Sequence, residues 1–305
     1  MKRILVTGGA GFIGSHLVNR FLELNYRVLI IDNLFTGKKD CLSLFSKNLE
    51  FVKGNITDKV LLANILEKFR PEIIVHFAAI HFVPYCIDHP ARTSEVNIVG
   101  TRNLLEYCRK VRPEVLFFAS SAAVYPISDK ASGENSPVDP VDIYGLTKVV
   151  GEDLARLFYR ETGVKTIVAR LFNVYGPDET NPHVIPEIVG QLKSGSREIE
   201  LGNLSPKRDY VHVQDVVDAI MALLEKSEEG FDIFNIGSGR EYSVSEIIEQ
   251  CKRIIGEELG IRQSKNRTRK SERMHLLADI TKIQEATGWS PKMGLRDGLH
   301  GLLMS

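Results

Sequence analysis

Residues 1–14 read MKRILVTGGAGFIG, and this stretch decides the fold. Residues 2–6 read as a short buried strand. Gly8, Gly9, Gly11 and Gly14 follow and open a helix near Phe12. An apolar run, residues 28–31, ends in Asp32, 18 residues after Gly14. Glycines at these positions let the backbone turn tightly and approach a pyrophosphate, whose charge faces the positive helix N-terminus. An acid after the second strand accepts a hydrogen bond from a ribose 2′-OH and repels a 2′-phosphate. Strand, glycines, helix, strand and acid in this order predict an NAD-binding unit rather than one for NADP.

A chain of 305 residues buries a large core as one big domain or two intimate lobes. It carries 39 basic and 39 acidic side chains, so no global field draws it to nucleic acid or to an anionic membrane. The four cysteines, Cys41, Cys86, Cys108 and Cys251, form no CxxC pair. They read as isolated thiols of a reducing compartment, without a zinc site or disulfide frame. The N-terminus enters a strand directly, and no apolar run approaches the roughly 20 residues of a membrane span. The expectation is a cytoplasmic protein without a metal centre.

Further along, apolar runs at residues 49–52, 73–79, 115–121 and 166–173 alternate with helical patterns at 59–69, 92–110 and 143–162. With residues 13–24 as the first helix, the alternation predicts an α/β Rossmann-type fold, a doubly wound parallel sheet with right-handed crossovers. Ligands in such sheets lie beyond the carboxyl ends of the strands. The expected division is an NAD-binding domain over residues 1–175 and a smaller C-terminal α/β substrate-binding lobe over residues 176–305. Residues 209–213 and 232–237 read as strands that return to the first sheet, giving returning segments near 208–237. Residues 260–273 hold six basic side chains, Arg262, Lys265, Arg267, Arg269, Lys270 and Arg273, and read mainly as a solvated loop.

Tyr144 and Lys148 are spaced i, i+4 in a helical pattern, which puts both on one face. Of nine tyrosines, only this one has a lysine four residues later. A free phenol, with a pKa of about 10, is a poor base at neutral pH. An ammonium about 4 Å away at an effective dielectric near 20 stabilises the phenolate by roughly 4 kcal/mol. That equals roughly three pKa units, enough to bring the phenol near neutrality, while burial opposes it. Ser120 and Ser121 end the fifth predicted strand and reach the same sheet edge, where a hydroxyl can share a proton with Tyr144.

These features together resemble the NAD-dependent nucleotide-sugar epimerase/dehydratase family of extended short-chain dehydrogenases/reductases. The resemblance covers nearly the whole chain and is closest in motif to members that are UDP-glucose 4-epimerase-like. It is carried by Thr7-Gly-Gly-Ala-Gly-Phe-Ile-Gly14, Asp32-Asn33, His76-Phe-Ala-Ala79, Asn97, Ser120-Ser121 with Val124-Tyr125, and Tyr144-x-x-x-Lys148. Further on come Arg170-Leu-Phe-Asn-Val-Tyr-Gly-Pro177, Arg208-Asp-Tyr-Val-His-Val213 with Asp215, Asn235-Ile-Gly237, and Asp279 with Gly288-Trp289.

The resemblance implies that Gly8, Gly11, Phe12, Ile13 and Gly14 hold the NAD pyrophosphate, and that Asp32 and Asn33 hold the adenosine ribose. Asn55 and Ile56 border the adenine, with Asn55 replacing the aspartate of many relatives. Phe77, Ala78, Ala79 and Asn97 serve the cofactor cleft, and Lys148 grips the nicotinamide ribose. Ser121, Tyr144 and Lys148 form the catalytic set. Asn173 and Arg208 contact the nucleotide-diphosphate sugar, joined by His81, Arg269 and Glu272. His183 lies near the sugar or is a loop histidine without a role. Leu276 stands where galactose epimerases often carry tyrosine. The family also implies a homodimer through the helices at 92–110 and 143–162. Val96, Val99, Leu104, Leu105, Val149, Leu154 and Leu157 either supply that contact or face the sheet.

The family oxidises a sugar hydroxyl, usually at C4, and the ketone then has several fates. Dehydratases carry an acid pair directly after the serine or threonine; here those positions are Ala122 and Ala123. Decarboxylases often keep a glutamate at the second position, which is also missing. His183-Val-Ile-Pro186 and Tyr125-Pro126 resemble an epimerase-reductase of GDP-sugars, but that enzyme has a cysteine where Ala122 stands and uses NADPH. The expectation is a nucleotide-sugar 4-epimerase. The alternatives are another nucleotide-sugar reductase, dehydratase or decarboxylase, or a non-catalytic NAD sensor.

Overall fold

A computed structural model of the chain describes residues 2–43, 46–264 and 273–305. Its strands in chain order are β1 (Arg3–Thr7), β2 (Arg27–Asp32), β3 (Leu49–Lys53), β4 (Ile73–His76), β5 (Val115–Ser121), β6 (Lys165–Leu171), β7 (Asn173–Tyr175), β8 (Glu198–Leu201), β9 (Lys207–His212), β10 (Phe231–Ile236), β11 (Glu241–Ser243) and β12 (Gly260–Gln263). Seven of them form one parallel sheet in the order β10-β6-β5-β4-β1-β2-β3. The order reverses at β1, which has β2 on one side and β4 on the other. That reversal opens a crevice at the carboxyl ends of β1 and β4.

Successive side chains of each strand point to opposite faces, and both faces are covered. Ile4, Val6 and Ile30 pack with Leu17, Val18 and Phe21 of the helix Phe12–Glu23 and with Ile220 and Leu223 of the helix Val213–Lys226. Leu5, Leu29 and Ile31 pack oppositely, with Leu62, Leu66 and Phe69 of the helix Lys59–Phe69 and with Leu104 and Leu105. Continuous apolar strands are what a sheet covered on both faces requires.

The structure revises several sequence expectations. The run at 73–79 stops being strand at His76, because Phe77 N and Ala78 N both donate to Thr7 O and turn the chain across the end of β1. The run at 166–173 splits: β6 ends at Leu171, and Asn173 starts β7 in a separate three-stranded sheet, β11-β9-β7. Only one of the two expected returning strands rejoins the main sheet. That strand is β10, beside β6, whereas β9 pairs with β7 and β11. The helix expected at 92–110 is α-helical over Pro90–Ser94, π-helical over Glu95–Gly100 and α-helical again over Thr101–Val111.

The smaller lobe has its own core, with Ile185, Ile188 and Leu192 of the helix Val184–Lys193 against Ile247, Ile248 and Cys251 of the helix Val244–Ile255. Of the side chains considered for a dimer contact, Leu104, Leu105 and Val96 are buried within the subunit. Val99 and Leu157 remain substantially exposed, at 39% and 46%. No helix among the described residues is long and apolar enough to cross a membrane.

Candidate active site

The crevice at the β1/β4 reversal is a cleft of about 860 Å³ measured out to its open mouth. Gly8, Gly11, Phe12, Ile13 and Gly14 form one wall, Asp32, Asn33, Asn55 and Ile56 one end, and Phe77, Ala78, Ala79 and His81 the opposite side. Two glycines are dictated by space. Gly8 has φ +73°, and a Cβ on it would stand 2.7 Å from Ala78 N. A Cβ on Gly14 would stand 2.3 Å from Gly8 O. The helix Phe12–Glu23 starts at Gly11 with no side-chain cap and no acid in its first turn, so its free N–H groups face the cleft. These residues fit an NAD molecule, whose pyrophosphate would lie over the glycine turn and whose ribose would reach Asp32.

Asp32 makes structural contacts that the sequence did not reveal. Its Oδ2 accepts from Ala10 N at 3.0 Å and its Oδ1 from Leu34 N at 2.8 Å. The carboxylate therefore braces the glycine turn and holds Leu34 at φ +61°. Asn33 Oδ1 accepts from Phe35 N, and Asn55 Oδ1 from Thr57 N, so both shape the loops that line the cleft.

Asn97, expected at the cofactor, is 3% exposed and lies behind the cleft wall. Its Oδ1 accepts from Ile80 N at 2.8 Å, and its Nδ2 donates to Ile80 O at 2.9 Å and Thr147 Oγ1 at 3.0 Å. It positions the cleft wall against the helix that carries Tyr144.

That helix, Ile143–Thr162, is capped by Asp142, whose side chain accepts from Gly145 N. The first turn presents Tyr144 beside Ser121 at the end of β5. Ser121 Oγ accepts from Ala123 N at 3.2 Å, which leaves its own proton to donate toward the phenol oxygen. Ser120, in contrast, points away: it is 2% exposed and its Oγ donates to Glu152 at 2.5 Å. Of the two serines, Ser121 is the one that hydrogen-bonds Tyr144.

The expectation that Lys148 alone brings the phenol toward neutrality does not hold in this geometry. Burial drives the Tyr144 pKa well above 10, and the Ser121 hydrogen bond is the contact that lowers it. The Lys148 ammonium lies 5.8 Å from the centre of the Tyr144 ring and donates to Ala119 O at 2.7 Å. Burial also pulls Lys148 down to about 8, with Glu152 working against the fall. Desolvation outweighs the attraction that spacing suggested.

Glu152 was missed, although its position four residues after Lys148 puts it on the same helix face. It is buried with Arg170 in a bidentate pair, at 2.9 Å from Nε to Oε1 and 2.8 Å from Nη2 to Oε2. Arg170 Nη1 also donates to Tyr125 Oη, which itself donates to Asn235 Oδ1 at 2.7 Å. This buried network ties β5, β6, β10 and the Tyr144 helix together behind the site.

The remaining candidates are Asn173, Arg208, His81 and His183. Asn173 and Arg208 lie on neighbouring strands, where Asn173 pairs with Tyr210. His81 Nε2 accepts from Asn181 Nδ2 at 2.8 Å, and burial pulls its pKa down to about 4, so it is neutral. His183 Nδ1 contacts Glu179, whose carboxyl is held above its ordinary range by burial. Arg269 and Glu272 lie outside the described residues. Arg273, read from sequence as part of a solvated loop, instead turns inward to Ala122 O and Ala123 O.

Residues 5–302 match the family model described as GDP-mannose 4,6 dehydratase. A putative UDP-glucose 4-epimerase of Methanocaldococcus jannaschii is 38% identical over 97% of this chain and 95% of that protein. UDP-glucuronic acid decarboxylase 5 of Arabidopsis thaliana is 30% identical over 97% of this chain and 87% of that protein. Among solved structures, the Thermotoga maritima UDP-glucose 4-epimerase with UDP-glucose superposes with a TM-score of 0.90 at 34% identity, covering 99% of this chain and 97% of that one. The Thermus thermophilus UDP-glucose 4-epimerase complex with NAD gives 0.89 at 31% identity, covering 99% and 98%. Epimerases and a decarboxylase thus stand side by side among the relatives.

Proposed function

The chain belongs to the NAD-dependent nucleotide-sugar epimerase/dehydratase family of extended short-chain dehydrogenases/reductases, and on that premise we propose that it is a nucleotide-sugar 4-epimerase. One observation carries the choice of reaction. Ser121 hydrogen-bonds Tyr144 and Lys148 lies 5.8 Å from the phenol ring, while the turn directly after Ser121 supplies Ala122 and Ala123 and no acid.

NAD, which Gly8, Gly11, Gly14 and Asp32 would hold, would supply a two-electron hydride acceptor and donor. Ser121 and Tyr144 would share the sugar C4 hydroxyl between them, and the Tyr144 oxygen would take its proton. Lys148, charged below about pH 8, would offset part of the burial that disfavours the Tyr144 phenolate and would hold the cofactor ribose. Asn173 and Arg208 would hold the nucleotide diphosphate while the sugar turns over between the two hydride transfers. Dehydration needs an acid and a base beside C5 and C6, and Ala122 and Ala123 offer neither.

The test is turnover of a panel of UDP-, GDP-, CDP- and dTDP-sugars by the NAD-loaded protein. The expected product is the 4-epimer, formed without added reductant. Release of CO₂, loss of water from the sugar, or a stoichiometric demand for NADPH overturns the reading. Tyr144→Phe should abolish turnover and retain NAD.

A further inference from the structure

Two of the six basic residues in the run 260–273 are described, and they behave differently. Arg262 pairs with Glu200 at the surface. Arg273 Nη2 donates to Ala123 O at 3.1 Å and its Nη1 to Ala122 O at 3.4 Å. These carbonyls belong to the two residues that follow Ser121. The partners are neutral, and no described carboxylate forms an ion pair with Arg273. Asp142, the acid that does favour its charge, already accepts from Gly145 N on Oδ1 at 2.8 Å. Burial and the Arg208 guanidinium both disfavour the charge on Arg273.

A guanidinium has five N–H donors in a planar fork, and these two bonds use only part of it. Partial burial of that charge against neutral acceptors, with a second guanidinium nearby, is unfavourable until an anion joins them. The position of Arg273 says which anion. Ser121 and Tyr144 mark where the C4 hydroxyl lies, and C5, bearing C6, is the ring neighbour of C4. A guanidinium anchored one and two residues beyond Ser121 therefore stands beside the substituents next to C4. C3 carries a neutral hydroxyl. Only C6 carries an anion there, when it is a carboxylate.

We propose that Arg273 binds a C6 carboxylate, so that the substrate is a nucleotide-hexuronic acid. The proposal rests on the 4-epimerase reading above and narrows it. It also accounts for how such a substrate survives. Oxidation at C4 places a ketone β to the carboxylate. Cleavage of the C5–C6 bond would then release CO₂ and leave its electron pair as an enolate across C5 and C4, to be protonated at C5. A guanidinium fixed on the carboxylate stabilises the charge where it is. Ala122 and Ala123 provide no acid to protonate C5.

The experiment uses NAD-loaded Tyr144→Phe protein, which binds without turning over, titrated calorimetrically with UDP-glucuronate, UDP-glucose and UDP. UDP-glucuronate should bind tightest. Adding Arg273→Met, which keeps the apolar stem, should weaken UDP-glucuronate about 10- to 100-fold, the loss typical of a charged hydrogen-bonding partner, and UDP far less. Arg273→Lys keeps the charge without the fork and should fall between. Equal weakening of all three ligands assigns Arg273 to the diphosphate and overturns the proposal. So does UDP-glucuronate binding no more tightly than UDP-glucose, or affinities that ignore the substitution. Failure of the epimerase reading shows elsewhere, in the products of the wild-type protein, and leaves these affinities as they are.

Discussion

Thr7 Oγ1 lies 2.6 Å from His76 Nδ1, joining the end of β1 to the end of β4 at the point where the cleft opens. The proton positions in this contact follow from the next one. Thr101 Oγ1 donates to Asn97 O at 2.6 Å, so toward His76 Nε2, 2.9 Å away, it can only accept. The imidazole is therefore neutral with its proton on Nε2, and Nδ1 accepts from Thr7. The chain runs on through Asn97 to Ile80 and Thr147, and Thr147 Oγ1 donates to Tyr144 O at 2.7 Å. A buried, fully paired network thus connects the glycine turn to the helix that carries the phenol.

A pH dependence of stability follows. Burial pulls His76 down to about 3 in the folded protein, whereas an exposed histidine titrates near 6.5. Between those values the unfolded chain binds a proton that the folded one refuses, so stability falls as pH falls through this window. His76→Asn keeps hydrogen-bonding capacity and removes the titration. The stability advantage of wild type over His76→Asn should shrink as pH goes from about 6.5 toward 4, by about 1.4 kcal/mol per unit. Urea unfolding at several pH values measures it, and an advantage that stays constant refutes the assignment.

Much of the cleft was legible in the sequence because its elements are local. The glycine turn, the acid after β2 and the Tyr144–Lys148 spacing each depend on residues within one or two turns or strands. What was not legible depends on contacts between distant segments. Asp32 bracing Ala10, Asn97 clamping Ile80, and Glu152 pairing with Arg170 become visible only once the sheet aligns them. The Tyr144–Lys148 pair shows the same limit in energetic form. Spacing gives the distance range, but burial set the outcome, and burial is a property of the whole fold. β9 reads as a strand like β10, and its pairing with β7 and β11 outside the main sheet becomes visible only in the fold.

Gly14→Ala tests the steric reading of the glycine turn. The added Cβ meets backbone atoms, Gly8 O at 2.3 Å and Gly9 Cα at 2.9 Å, which cannot swing aside as a side chain can. Stability should fall by about 1–3 kcal/mol, as for other overpacked sites. NAD affinity should fall at least about tenfold, because the turn that receives the pyrophosphate is displaced. Calorimetric NAD titration of the variant checks this, and unchanged affinity contradicts the proposed seat.

Asp32→Asn separates the two duties of that carboxylate. An amide has one oxygen, so either Ala10 N or Leu34 N loses its acceptor. Leaving a buried donor unpaired costs about 1–3 kcal/mol. The variant should be less stable, bind NAD more weakly, and gain little for NADP, because the loop itself loosens. A clean reversal of cofactor preference at unchanged thermal stability would show that the carboxylate only reads the ribose.

Glu152→Gln probes the ion pair behind the site and the lysine in front of it. The glutamate and Arg170 are both nearly inaccessible, with side-chain exposures of 6% and 3%. Removing one charge of such a pair costs about 3–5 kcal/mol, because the other is left buried and uncompensated. Glu152 is also the largest influence holding the Lys148 pKa up against burial. Without it, the lysine loses its proton below about 8, the value it has in the intact site. In the proposed reaction Lys148 supports the phenolate as an ammonium, so its contribution would disappear as pH rises through its pKa. The alkaline fall in kcat should therefore begin near pH 8 in the wild type and shift to lower pH in Glu152→Gln. A pH profile from 6 to 9.5 at saturating substrate reads the shift directly. A fall in stability with an unmoved alkaline limb would confine Glu152 to holding Arg170, with no hold on the catalytic amine.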